Sequence, residues 1–219
     1  MRRANPTPTL TLLTGAAHAP PRRARRKRPA SHDGNAYPWR CVVLGVDTAT
    51  QSGWAVRVAG KLVWSGECDS HDEHALDEAV RLALQCAGRP PAEAAAMPCV
   101  LVLEKPFPGG FRAISEALGA ARERWLCAWK RNGQRRDQRV VRVMPVVWRS
   151  RVLGSQAVRM KRDEVRPYEQ AAARMEVGPG IPIGDDEAPA ILISRWGARA
   201  PQVGDELTAY ERAARPDHG

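Results

Sequence analysis

A short apolar run that ends in an acid constrains this chain more than any other feature. Residues 41–46 are Cys-Val-Val-Leu-Gly-Val, rich in β-branched side chains and without helical spacing, and Asp47 follows directly. Continuous apolarity of this length, bounded by polar turn formers, predicts a strand buried on both faces. A carboxylate at the end of such a strand costs several kcal/mol to desolvate unless a charged group compensates. A bound cation is the simplest compensation, and the alternative is that Asp47 only caps a turn.

Two later acids stand in comparable places. A second apolar run, residues 99–104, ends in Glu104, and Asp186 stands near the start of the last predicted helix, with either Asp185 or Asp186 as its cap. If the two runs are neighbouring strands, their terminal carboxylates lie about 5 Å apart. Like charges that close are unfavourable without a cation, and oxygen-only ligands favour Mg²⁺ or Mn²⁺ over zinc. Two such ions can activate a water and stabilise the leaving oxygen of a phosphodiester.

The order of the other elements predicts a mixed α/β sheet flanked by helices. After the first strand, alternating residues around Gly60-Lys61 predict a β-hairpin, so three antiparallel strands open the domain. Further along the chain we expect a helix that ends at Gly88, the strand at 99–104 and a helix from about Phe111 to Arg131. A strand at 139–143 and two more helices follow, and then the last helix. The stripe at helical spacing in the long helix is either core or a subunit interface: Ile114, Leu118, Ala121, Trp125 and Trp129.

Charge and composition divide the chain into unequal parts. The net charge is +10, yet residues 1–40 hold nine basic side chains against one acid, whereas the remaining 179 residues carry 25 basic and 23 acidic groups. We interpret residues 1–38 as a disordered basic arm that favours nucleic acid, residues 39–200 as the folded domain, and residues 201–219 as a tail. A secretory signal or an organelle transit peptide is the alternative for the first segment.

The chain shows no sign of a membrane or an oxidising environment. No stretch approaches the 18 or more apolar residues of a membrane span. The five cysteines are an odd number without a C-x-x-C pair, which favours free thiols in a reducing compartment. We therefore expect a cytoplasmic protein.

Several of these segments resemble the motifs of RuvC-type Holliday junction resolvases, within the RNase H-like nuclease superfamily. Val43 to Asp47 with the later Gly53 is similar to the family's first-strand motif, and Glu104 followed by Phe107 is similar to the second. The segment Asp186-Glu-Ala-Pro-Ala190 resembles the start of the family's last helix. The segments 118–122 and 145–161 are similar to a helix start and to the family's basic DNA-contacting segment, and the whole resemblance spans roughly residues 41–197.

The resemblance implies a fold, an activity and a set of site residues. The fold is an RNase H-like mixed sheet, three antiparallel strands followed by parallel ones, and the activity is cleavage of four-way junction DNA by a homodimer. Asp47, Glu104 and Asp186 would be the catalytic ligands of Mg²⁺ or Mn²⁺, with Asp185 as a further metal-binding candidate. The implied DNA-binding residues are Phe107, Arg149, Arg151 and Lys161.

One departure from the family pattern keeps other functions open. The last acid of the family's final motif falls at Pro189 in this chain, so one ligand is missing or replaced. A non-catalytic or weakly active relative that binds branched DNA is therefore the main alternative. The Gly45-Val-Asp47-Thr segment also resembles sugar kinases and related ATPases, but these need a second similar domain that 219 residues hardly accommodate.

Overall fold

The computed structural model describes residues 39–88, 97–105, 112–132, 138–200 and 202–205. The predicted arm at residues 1–38 and the predicted DNA-binding residue Phe107 lie outside these ranges. Within them, no helix combines the length and apolarity that a membrane crossing requires.

The centre of the fold is a five-stranded mixed sheet. Its strands are β1 (Val42–Asp47), β2 (Gln51–Val58), β3 (Lys61–Asp69), β4 (Cys99–Glu104) and β5 (Gln138–Val143), in the spatial order β3-β2-β1-β4-β5. Strand β2 pairs antiparallel with both β1 and β3, and β4 and β5 continue the sheet in parallel with β1. The predicted arrangement, three antiparallel strands and then parallel ones, is confirmed.

Helices cover both faces of this sheet. They are α1 (Glu73–Gly88), α2 (Arg112–Asn132), α3 (Pro145–Val152), a 3-10 helix (Ser155–Arg159), α4 (Arg162–Val177) and α5 (Glu187–Gly197). Helices α1 and α2 pack on one face, and α3, α4 and α5 pack on the other. Residues 202–205 add a helical turn in which Val203 is buried, so the folded part of the described chain extends to residue 205.

The pleat of the two central strands decides which face carries the acids. In β1, Val42, Leu44 and Val46 pack with α1 and α2, whereas Val43 packs on the opposite side with α5. Because side chains alternate along a strand, Asp47 shares the face of Val43. The same alternation in β4 turns Glu104 to that face. Both acids therefore point to the side of the sheet that α3, α4 and α5 cover.

The tryptophan stripe of the long helix belongs to the core. Trp125 and Trp129 are buried between α2 and the sheet, together with α1, while Ile114 at the start of the helix is 55% exposed. The prediction of a subunit interface formed by Ile114, Leu118 and Trp125 together is therefore wrong, because the Trp125 side chain is fully buried inside the domain. Helical periodicity identified the apolar stripe correctly but could not say what covers it.

A buried arginine ties the last helix to the sheet. Arg57 of β2 is 2% exposed, and its Nε donates to the Ser194 hydroxyl of α5 at 2.9 Å. Its Nη1 donates to Glu176 of α4 at 3.0 Å, so the charge is paired as well as hydrogen-bonded. Buried charges of this kind are stable only when so satisfied. The bonds hold α4 and α5 in one place relative to β2.

Candidate functional site

The first two predicted acids lie side by side at one edge of the sheet. Val46 of β1 pairs with Leu103 of parallel β4, so Asp47 and Glu104, the next residue of each strand, are neighbours. Neighbouring strands are about 5 Å apart, which sets the spacing of the two acids. The hydroxyl of Thr48 donates to the Glu104 carbonyl at 3.2 Å and fixes the two strand ends together.

A glycine opposite Asp47 brings the third acid to the same place. Gly53 of β2 pairs directly with Asp47 in the antiparallel ladder, and the backbone of Asp186 packs against it. A Cβ atom at position 53 would overlap the Asp186 carbonyl, so only glycine leaves room for this approach. Side chains that pair directly across two strands are about 5 Å apart. Asp186 is thereby placed near Asp47, and its charge raises the pKa of Asp47.

The side chain of Asp186 does not cap the helix that it precedes. Asp186 stands at the N-cap position of α5, as predicted, but its carboxylate makes no capping hydrogen bond. Glu67 of β3 takes that role, since its Oε1 accepts the backbone N–H groups of Asp186 at 2.8 Å and Glu187 at 3.0 Å. An N-terminal helix turn needs such an acceptor. Because a distant residue supplies it, the Asp186 carboxylate stays available to the cleft.

These acids line a cleft of about 510 Å³ between the sheet edge and helices α3, α4 and α5. Its charged lining consists of five carboxylates and three guanidinium groups: Asp47, Glu104, Glu169, Asp185 and Asp186, with Arg149, Arg162 and Arg166. The cleft thus has an excess of negative charge. Pro189 lines it too and offers no ligand atom.

The electrostatics of the two strand-end acids show how unfavourable their position is without a cation. Burial, and then the charge of Asp186, raise the pKa of Asp47 to about 7. Burial, and then the charge of Asp47, raise the pKa of Glu104 to about 8, although the nearby Arg149 guanidinium opposes both shifts. For Asp186 the pKa is raised as well, first by burial and then by Glu67. The site therefore favours added positive charge.

Hydrogen bonds distinguish a fixed acid from free ones. The indole Nε1 of Trp148 in α3 donates to Glu104 Oε2 at 2.5 Å, which orients that carboxylate. Within the described residues, the carboxylates of Asp47 and Asp186 accept no hydrogen bond and form no ion pair. Polar side chains that are partly buried normally find partners. The lack of such partners for the Asp47 and Asp186 carboxylates is typical of an open ligand position.

The predicted basic residues fall into two groups. Arg149 lines the cleft, with its guanidinium 5.0 Å from the Trp148 ring centre and its Nε donating to Glu169 at 2.8 Å. Arg151 and Lys161 are exposed and are not among the residues that line the cleft. Asp185, the additional metal candidate, is at the rim, where Gln170 Nε2 donates to it at 3.2 Å.

Besides Trp148, four residues of this site were not predicted from the sequence. Arg162 and Arg166 line the cleft from the first two turns of α4, one helical turn apart, directly after the predicted Lys161. Glu169 lies on the buried stripe of that helix with Val165 and Ala173, so an acid at an apolar position was a detectable sign. The role of Glu67 had no local sign, because the bond joins residues 119 positions apart.

The donor set of the cleft suits a hard divalent cation. Its potential ligands are carboxylate oxygens, which Mg²⁺ and Mn²⁺ prefer. Within the described ranges, no group of three His, Cys, Asp or Glu side chains is close enough to hold an ion as placed. A cation would draw together carboxylates that otherwise repel one another. The donor atoms are therefore suited to a divalent metal, and the ligand side chains would have to move closer together to bind it.

Comparison with known proteins gives similarity in structure but not in sequence. No known family profile and no curated protein sequence matches the chain. Among solved structures, RuvC of Thermus thermophilus is similar, with 18% identity and a TM-score of 0.52 over 74% of this chain and 96% of that protein.

The same Thermus protein in complex with a Holliday junction substrate has a TM-score of 0.51, again at 18% identity, over 75% of this chain and 96% of that one. The yeast mitochondrial Holliday junction resolvase Ydc2 is more distant, with 13% identity, a TM-score of 0.38 and coverage of 81% and 87%. At these identities the likeness concerns the fold. The chain has the RNase H-like α/β fold found in the Thermus resolvase structures.

Proposed function

We propose that this protein is a divalent-metal-dependent endonuclease that cleaves branched DNA, with the four-way junction as its substrate. The observation that carries the proposal is the convergence of Asp47, Glu104 and Asp186 on one cleft that also contains three arginines. Acids alone would suit many metal sites. Acids beside guanidinium groups suit a site that binds a metal and a phosphate together.

The residues of the cleft would have three different roles in this reaction. Asp47, Glu104 and Asp186 would hold Mg²⁺ or Mn²⁺, and a bound ion of this kind supplies a reactive water and stabilises the leaving oxygen of a phosphodiester. Trp148 keeps the Glu104 carboxylate in a single orientation through its hydrogen bond. Arg149, whose Nη groups have no partner within the described residues, would contact a phosphate of the cleaved strand.

Cleavage of a synthetic four-way junction tests the proposal. Asp47→Asn and Glu104→Gln each remove a metal-binding charge but leave every basic residue in place. We expect a loss of cleavage on the order of a thousandfold in both variants with junction affinity nearly unchanged, because phosphate contacts carry most of that affinity. Wild-type cleavage without added Mg²⁺ or Mn²⁺, or cleavage above a few per cent in both variants, would contradict it.

The substrate proposal has its own controls. Linear duplex, flap and three-way DNA of the same sequence should be cut more slowly than the four-way junction. Symmetric cutting needs two active sites that face opposite strands, so we expect a homodimer in solution. A monomeric mass by light scattering in protein that still cuts symmetrically would exclude it.

A binding protein without catalysis is the second candidate, and Pro189 is the observation that favours it. Pro189 occupies a place in the cleft where a carboxylate could have supplied another ligand. If wild-type protein binds the junction tightly but does not cut it at any Mg²⁺ or Mn²⁺ concentration, this candidate replaces the nuclease. Turnover of ATP in the same preparation would instead point to the kinase-like alternative.

A further inference from the structure

The buried acid of α4 pairs with Arg149, but it has no packing role that an apolar residue could not fill. Glu169 is 2% exposed and lies on the buried stripe of its helix, between Val165 and Ala173. Burying a carboxylate costs several kcal/mol unless it is fully satisfied. A leucine or methionine at this position would pack without that cost, so the acid has to be explained by what it faces.

What Glu169 faces is the cleft. Its small exposed area contributes to the lining of the cleft that also contains Asp47 and Glu104. Its charge acts on both of these acids and raises the pKa of each. Arg149 Nε satisfies one of its oxygens, Oε1, at 2.8 Å. The other oxygen, Oε2, accepts no hydrogen bond from the described residues.

A half-satisfied buried carboxylate beside two others is poorly explained by its arginine alone. Arg149 is 24% exposed and could be neutralised by solvent or phosphate, whereas Glu169 at 3% side-chain exposure depends on what the cleft contains. Two further arginines of α4, Arg162 and Arg166, oppose the raised pKa of Glu169 but are not bonded to it. Because Glu169 lines the cleft, an oxygen of its carboxylate without a hydrogen bond is a candidate ligand atom.

We propose that Glu169 supplies a further carboxylate ligand, from helix α4, to the divalent cation held by the acids at the strand ends. The inference rests on the proposed metal-dependent function and deepens it by naming a ligand from a different element. Glu169 of α4 thereby supplies the carboxylate that Pro189 of α5, which also lines the cleft, cannot. One oxygen binds the cation while the other keeps Arg149 over the phosphate.

Metal binding without DNA measures this role directly. The probe is Mn²⁺, followed by the loss of its free-ion paramagnetic resonance signal and by calorimetry. We expect Glu169→Gln to weaken Mn²⁺ binding by about tenfold or more. Asp163→Asn is the matched control, since it removes an exposed acid from the same helix that does not line the cleft. Its Mn²⁺ affinity should equal that of wild type.

Glu169→Gln also leaves Arg149 unpaired, and the unpaired guanidinium would itself repel a cation. We therefore repeat the substitution in an Arg149→Met background, where this charge is gone. If Glu169 is a ligand, Glu169→Gln still costs about tenfold in that background. If the substitution has no effect there, Glu169 acted only through Arg149 and the inference is overturned.

Two further variants keep the result interpretable. Pro189→Asp in the Glu169→Gln protein should recover Mn²⁺ affinity by returning a carboxylate to the cleft lining. Glu169→Asp, which keeps the charge but shortens the side chain, serves if the glutamine variant fails to fold, and should give an intermediate affinity. Affinity equal to wild type in a folded Glu169→Asp protein would count against a ligand role.

The same titration separates this inference from the proposed function. If Asp47→Asn abolishes Mn²⁺ binding and Glu169→Gln leaves it unchanged, the metal site stands and Glu169 is not part of it. If wild type does not bind Mn²⁺ and does not cut DNA, the proposed function fails and takes the inference with it.

Discussion

At the scale of single residues, the site is marked by acids whose interactions are incomplete. Asp47 and Asp186 accept no hydrogen bond from the described residues, whereas the buried Arg57 is bonded to Ser194, Glu176 and two carbonyls. Polar groups that serve the fold are satisfied within it. The contrast within one domain separates groups kept for stability from groups kept for a ligand.

The raised pKa values of the strand-end acids predict how stability depends on pH. With a pKa of about 7 for Asp47 and about 8 for Glu104, the folded protein holds protons that the unfolded chain releases near pH 4. By linkage, the metal-free protein loses stability as pH rises from about 4 to 8. Asp47→Asn removes one of these charges, so its Tm in EDTA at pH 8 should exceed that of wild type by about 3 °C.

This stability difference has two internal checks. At pH 5, where Asp47 is protonated in the folded protein, the Tm values of wild type and Asp47→Asn should converge. Mg²⁺ at pH 8 should raise the Tm of wild type but not that of the variant, since only wild type binds the ion. An Asp47→Asn protein less stable than wild type at pH 8 in EDTA would contradict the prediction.

Trp148 predicts an effect on catalysis that is separate from packing. Its indole is fully buried and its Nε1 donates to Glu104, so Trp148→Phe keeps an aromatic ring but removes the donor. Loss of a bond that orients a metal ligand costs ten- to a hundredfold, and we expect the cleavage rate to fall by about that much. Trp196→Phe, a buried indole of α5 in the same core, controls for packing and should cut normally.

At the scale of elements, the site depends on how closely α5 approaches the sheet. The helix packs against Gly45 of β1 and its preceding turn packs against Gly53 of β2, where any Cβ atom would overlap backbone. Glu67 of β3 then fixes the start of the helix through two backbone hydrogen bonds. Two strands and one helix thus locate Asp186 without using its side chain.

Gly53→Ala should therefore displace Asp186 while changing no ligand. The added methyl group overlaps the Asp186 carbonyl, so the turn before α5 must move by more than 1 Å, and we expect both a loss of cleavage of about a hundredfold and a lower Tm. Gly119→Ala is the control, because a Cβ there meets nothing within 4 Å and helix propensity gains about 1 kcal/mol. Urea unfolding and cleavage rates of the two variants give the answer. Normal cleavage by Gly53→Ala would exclude this account of the site.

At the scale of the whole molecule, the sequence predicted the sheet better than it predicted the site. Two apolar runs that end in acids identified β1 and β4 because a doubly buried strand has to be apolar throughout. The partners of those acids depend on contacts between distant segments. Trp148 is 44 positions from Glu104, and Glu67 is 119 positions from Asp186, so no local pattern records either bond. Helical periodicity likewise could not separate core from interface at Trp125.

The basic segment before the domain predicts a difference in DNA affinity. Residues 1–40 carry nine basic side chains, and the remaining 179 residues are nearly balanced in charge. Deletion of residues 1–38 should weaken binding to junction, flap and linear DNA by similar factors and reduce the salt dependence of each. Fluorescence anisotropy from 50 to 300 mM salt measures both. Selective loss of junction binding would mean that the segment recognises DNA structure, contrary to our interpretation.

The position of α5 in the chain has a consequence for synthesis. This helix is synthesised last among the elements that carry the three acids, and it completes the cleft only after it packs on β1 and β2. A ribosome-bound chain that has not yet released residues 186–197 has two of the three acids and no closed cleft. Under the proposed function, a partly made molecule therefore cannot cleave DNA, and cutting begins only once the domain is whole.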